Sequence, residues 1–101
     1  MEKELYLLYL TTNEAIREYL LTMGEGYSYG FWKIWRQFKK KTSYASIRRN
    51  FWILKELRLI ESVRFEKDKT PFRKHIYRIV PGMEDDPRWM HPEEALWPSK
   101  G

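Results

Sequence analysis

Apolar positions recur three and four residues apart through roughly the first sixty residues and then begin to alternate, so the pattern predicts helices followed by strands. The first helical series is Leu5, Leu8, Tyr9, Thr12, Ala15, Ile16, Tyr19, Leu20 and Met23. Within it, Thr11-Thr12-Asn13-Glu14 has the form of a capping box, with Thr11 as N-cap and Glu14 reaching back. A helix is therefore predicted over 12–23, with 5–10 as either a helical extension or a short strand. Gly24-Glu25-Gly26 ends it, because glycine tolerates the left-handed turn that closes a helix. A second helix is expected from Ser28 or Tyr29 to about Lys40. Phe31, Ile34, Trp35 and Phe38 mark its buried side and Lys33, Arg36, Gln37 and Lys40 its wet side.

The polar run Lys39-Lys40-Lys41-Thr42-Ser43 is a short connection, so the helices it joins must pack at an angle. The stretch that follows, to Ile60, carries Ile47, Phe51, Leu54 and Leu57 on one stripe. Ser43 is placed to cap it by accepting from an amide that has no intrahelical partner. Its other face carries Ser46, Arg48, Arg49, Trp52 and Lys55. That face reads either as a solvated basic surface or as the side of a helix laid in a DNA groove.

After Leu57 the period changes. Residues 60–66 read as a strand of imperfect alternation and 72–80 as its partner, with Tyr77 and Ile79 on one face and Ile76, Arg78 and Val80 on the other. Lys67-Asp68-Lys69-Thr70-Pro71 is the turn between them, and Pro81-Gly82 stops the second strand. The organisation expected is one domain over 1–82 and an acidic, aromatic arm over 83–101. In the arm Pro92 suits the first position of a short helix reaching Trp97. Trp89 and Trp97 are costly to leave in water, which predicts that the arm docks on the domain or on a second subunit.

Composition narrows the class. The 101 residues suffice for a single modest core, and 43% hydrophobic with 33% charged residues is a folding composition. No cysteine is present, which excludes disulfides, thiolate chemistry and cysteine-ligated zinc. Residues 5–10 are too short an apolar run to span a bilayer, so a cytoplasmic location is expected. One Gln, two Asn and many charges fit a thermophile composition.

Charge is the more telling feature. The net +5 conceals a central block, 31–80, with 15 Lys and Arg against 4 Asp and Glu, flanked on each side by a segment with 2 against 5. Such a block is the footprint of a polyanion-binding surface. An anionic membrane is the poorer match, because no continuous apolar helix face accompanies the cations.

The element order, with Ile47, Phe51, Leu54 and Leu57 running into Leu59-Ile60-Glu61 and with Ile76-Tyr77-Arg78-Ile79 as a returning strand, resembles the winged helix-turn-helix. The likeness covers about 12–80 and is to small bacterial and archaeal transcription regulators of the PadR and MarR kind. It implies an α+β fold, a three-helix core with a C-terminal two-stranded β-hairpin wing, here followed by the short arm. It also implies sequence-specific binding of double-stranded DNA, with the helix at about 43–57 in the major groove and the wing at about 64–74 on the backbone or minor groove. One position departs from the pattern: where that superfamily usually has glycine before the Leu-Ile pair, this chain has Arg58. A non-glycine residue adopts the left-handed conformation at a cost of about 1 kcal/mol.

The residues expected to meet DNA are Lys40, Lys41, Thr42, Ser43, Tyr44, Ser46, Arg48, Arg49 and Trp52, with Arg64, Lys67, Lys69, Arg73 and Lys74 from the wing. Arginines suit bidentate bonds to guanine, and the lysines suit phosphate. Phe31, Trp35, Phe38 and Phe51 belong to the expected core, while Trp32, Trp52 and Tyr44 fall off the stripes. Those three seal a subunit contact, cover the margin of a small core or stack on unpaired bases. His75 and His91 are the only histidines and the carboxylates gather in the arm without a partnering base, so no enzyme activity, cofactor or metal is expected. A single module of this size covers little DNA, which predicts a homodimer of a cellular or viral regulator reading two half-sites. The rival readings are a winged-helix protein-interaction module of a replication or transcription assembly, and a single-stranded nucleic-acid binder. The arm's five acids suggest, in addition, an arm folding over the basic face.

Overall fold

The computed structural model describes residues 10–67 and 73–97, so the expected extension at 5–10 and the turn at 67–71 lie almost wholly outside the described residues. Helix α1 (Thr12–Met23) opens on the anticipated capping box: the Thr11 hydroxyl accepts from the Glu14 amide at 3.2 Å and donates to the Glu14 carboxylate at 3.0 Å. It buries Ala15, Ile16 and Leu20 and closes at Gly24, whose φ is 80°. Met23, counted in the apolar series, is 62% exposed, because the stripe has rotated out of the core by the last turn.

Helix α2 (Ser28–Trp35) is shorter than its sequence suggests. It stops at Trp35, and the following amides of Gln37 and Phe38 turn back to the carbonyls of Ile34 and Trp35, a tighter i to i−3 winding. The Trp32 indole N–H donates to the Thr42 carbonyl at 2.9 Å and holds the lysine connection against the helix. The buried side is centred between Phe31 and Trp35 and turns towards Trp32, which leaves Ile34 44% exposed rather than buried.

Helix α3 (Tyr44–Glu56) begins at Ser43, whose Oγ accepts from the Ser46 amide at 3.2 Å. Its end is a Schellman motif, with Leu59 N–H bonded to the Leu54 carbonyl at 3.0 Å and Arg58 N–H to that of Lys55 at 2.9 Å. Arg58 takes the left-handed position at φ 62°, as the sequence departure required. Ile53 joins Ile47, Phe51 and Leu54 in the core, widening the buried stripe.

Strands β1 (Ile60–Lys67) and β2 (Arg73–Ile79) form an antiparallel pair, with Ile60 opposite Ile79, Ser62 opposite Tyr77 and Phe65 opposite His75. A bulge between Ser62 and Arg64 accounts for the imperfect alternation. On the other edge of β2, Gly26 and Tyr77 exchange amide bonds of 2.9 and 2.7 Å, a one-residue third strand. A Cβ on Gly26 would lie 2.3 Å from the Tyr19 ring, so any other residue there would have to displace that ring for the loop after α1 to approach β2.

The segment 83–97 packs on this body. Trp89 is wholly buried within the single core cluster, and its indole N–H donates to the Met83 carbonyl at 2.7 Å. A 3-10 turn (Pro87–Trp89) capped by Asp86 leads into the short helix α4 (Pro92–Leu96), which starts on proline as expected. The fold is thus α+β, with four helices among the described residues and a two-stranded antiparallel sheet after the first three of them. No helix among the described residues is long and apolar enough to cross a membrane. Because Trp89 fills the core, Trp89→Ala should cost about 3–5 kcal/mol. Urea unfolding followed by circular dichroism checks this; a loss below about 1 kcal/mol, the size of a surface change, would contradict the packing.

Candidate nucleic-acid interface

Rotation of α3 is set by burial of Ile47, Phe51 and Leu54, and everything else on the helix follows from it. Arg48, Arg49, Trp52 and Lys55 are turned outward and exposed. They do not form one uniform surface.

Towards the hairpin lie Tyr44, Arg48 and Lys55. Arg48 has its guanidinium 5.8 Å from the Tyr44 ring centroid and no carboxylate partner among the described residues. Tyr44 is half-buried, its hydroxyl 3.3 Å from that of Ser28. Its ring closes a triangle with Tyr29 and Trp32, all three centroid pairs lying 5.5–5.6 Å apart. These rings fill their own centre and lock the start of α3 to α2. Thr42 lends its carbonyl to Trp32, and Ser43 spends its side chain on the cap and on the Ser46 hydroxyl at 2.9 Å. Lys39, Lys40 and Lys41 stand exposed at the approach to the helix.

Away from the hairpin the arm covers the helix. Glu93 pairs with Arg49 at 3.2 Å, the Arg49 guanidinium lies 5.5 Å from the Trp97 ring, and Trp97 stacks on Trp52 at 6.0 Å and 29°. All four side chains are about half exposed, so the contact is a thin one.

The sheet divides the wing residues. Arg64 pairs with Glu25 and, at 2.9 Å, with Glu66; Lys74 sits 3.6 Å from Glu66 and over the Tyr27 ring at 4.5 Å; Arg78 pairs with Glu61 at 2.6 Å. Glu25 and then Glu66, by hydrogen bonding, hold the Arg64 guanidinium above its ordinary pKa, and Arg64 in turn lowers that of Glu25. The register puts Arg64 and Lys74 on this ion-paired face, so they are not brought together with Arg48. Lys67 is exposed on the other face, while Lys69 and the side chain of Arg73 lie outside the described residues.

That other face holds groups the sequence reading did not bring to the interface: Phe65, His75 and Tyr77. Phe65 is 60% exposed, its ring 4.0 Å from that of His75, which lies 5.9 Å from Tyr77. Their signal was hidden by the bulge, since strict alternation from Ile60 would put Phe65 on the opposite face. Burial, then the Lys55 charge, pushes His75 below its ordinary value of 6.5.

No family model matches the chain, and no curated protein or solved structure does either.

The lowered His75 pKa has a consequence for stability. The neutral ring is favoured in the fold, so its contribution is complete above about pH 6.5 and is lost as pH falls through the folded value. The thermal midpoint should therefore decline on going from about pH 7 to pH 5. His75→Phe should flatten that part of the profile, and an unchanged slope would remove His75 as its cause.

Proposed function

We propose that the chain is a winged helix-turn-helix protein that binds double-stranded DNA and acts as a small transcriptional regulator. The observation that carries this reading is the outward side of α3: Arg48 and Lys55 stand unpaired among the described residues, between three exposed lysines at the helix start and a hairpin alongside. The order of helices, the short connection from α2 to α3 and the Gly26–Tyr77 bridge before α2 support the same fold reading. In this reading α3 lies in the major groove, and Arg48 makes the bidentate contact to guanine. Lys40 and Lys41 grip phosphate on the approach, and Lys67 does so from the wing. Leu21 and Met23, 47% and 62% exposed at the end of α1, are the apolar contact for a second copy in a homodimer.

Salt and sequence tests separate these roles. Neutralising about six phosphates should give a log–log slope near −5 for duplex affinity against salt. Arg48→Ala should cost about 1–3 kcal/mol on the preferred site and much less on random duplex. Lys40→Ala and Lys41→Ala should weaken both alike. Absence of duplex binding at low salt would sink the reading.

The arm shares the face that a groove would take. Glu93 occupies Arg49 as a phosphate would, and Trp97 lies on Trp52. Removing residues 83–101 is a poor test because it also removes buried Trp89, so the arm is better released by Glu93→Gln with Trp97→Ala. An exposed ion pair and one ring contact are each worth about 1 kcal/mol or less, so duplex affinity should rise several-fold. Unchanged or weaker affinity would mean that the arm stays on α3 in the complex.

A further inference from the structure

The two faces of the hairpin differ in kind. On one, Arg64, Lys74 and Arg78 are matched by Glu25, Glu66 and Glu61. On the other, the register aligns Ser62, Phe65 and Lys67 of β1 with Tyr77 and His75 of β2. No carboxylate among the described residues pairs with a cation there, and α3, whose Phe51 packs on Tyr77, carries the exposed Arg48 and Lys55 one turn to either side of that contact. The row begins in the core, where Tyr77 packs on Phe51 at 5.7 Å, and emerges at Phe65. Packing does not require an aromatic ring at the emergent end, since 60% of Phe65 faces solvent.

We propose that this sheet face is a stacking platform for an unpaired base on a nucleic-acid strand, taken beside the duplex held by α3. A paired base inside a duplex offers only its edge, whereas an unstacked base offers its ring face to an aromatic side chain. The cations at the rim, Lys55 and Lys67, suit the phosphates on either side of that base. A protein partner covering an apolar patch would not call for a rim of one sign. The ligand is then a duplex with a single-stranded extension or an opened end, rather than uninterrupted duplex. This rests on the proposed function for where the duplex lies, but the platform itself is tested separately.

The experiment uses the full chain and fluorescence anisotropy with three labelled DNAs: a blunt duplex, the same duplex with a thymidine overhang of about 6 nucleotides, and the overhang strand alone. The wild-type protein should prefer the overhang duplex to the blunt one by about tenfold, the size of stacking on one ring. Phe65→Leu should abolish that preference and leave blunt-duplex affinity unchanged, whereas Phe65→Trp should keep it. Circular dichroism of both variants confirms the fold, which an exposed position should preserve. No preference in the wild type overturns the proposal, as does a preference that survives Phe65→Leu or an equal loss on all three DNAs. Phe65-dependent binding of the single strand with no blunt-duplex binding would uphold the platform and overturn the duplex reading.

Discussion

Phe51 decides how α3 is presented. Its ring is buried between Phe31 of α2, with centroids 6.2 Å apart, and Tyr77 of β2, at 5.7 Å. A residue held from two sides by two other elements fixes the rotation of its helix about the axis. At about 100° per residue, Lys55 and Arg48 lie within about 60° of Phe51 on the side away from Ile47 and Leu54, so they border the core, while Trp52 stands farther round towards solvent. The same contact ties β2 to the helix, so the sheet can only lie along one flank of the exposed arc. Interface geometry is therefore a consequence of core packing, not of any contact the cations make themselves.

The second constraint is the single extra residue in β1. Because side chains alternate strictly, one inserted residue exchanges the faces of everything beyond it. Phe65 moves onto the side of Ile60 and Tyr77, and Arg64 moves onto the side of Glu61 and Glu66. Without the bulge the exposed ring would sit among ion pairs and the guanidinium beside Lys55. The bulge thus sorts the hairpin into a neutralised face and a cationic, aromatic one.

Much of this was legible from local chemistry. The Thr11–Glu14 capping box and the Ser43 cap depend on residues within one turn of each other, and short-range patterns record them, whereas the left-handed Arg58 was expected only from the resemblance. What escaped depended on distant partners. The early end of α2 is tied to Trp32 reaching the Thr42 carbonyl, ten residues on. Ile34 fits the apolar spacing but is exposed because tertiary packing, not spacing, chooses which side of a short helix faces in. The pairing of Arg64 with Glu25 across the sheet, and of Arg49 with Glu93 across 44 residues, has no sequence signature. Charge counted along the chain found the basic block but not which of its members were already matched.

The matched pairs add little stability, since exposed ion pairs are worth about 0–1 kcal/mol each. Their larger effect is on the sign of each surface. Arg64, Lys74 and Arg78 are cancelled on the far side of the sheet, which leaves the field of the remaining cations pointing outward from α3 and the lysine turn. In the proposed function, an approaching polyanion would be oriented by that field before it is bound. Arg49 differs from Arg48 in the same terms. Already facing a carboxylate, it would exchange one anion for another on meeting phosphate. Fewer counterions would accompany that exchange, so Arg49 would add less to the salt dependence than an unpaired cation does, while still adding a contact. The arm would in this way weaken binding at α3 and also make it less sensitive to salt.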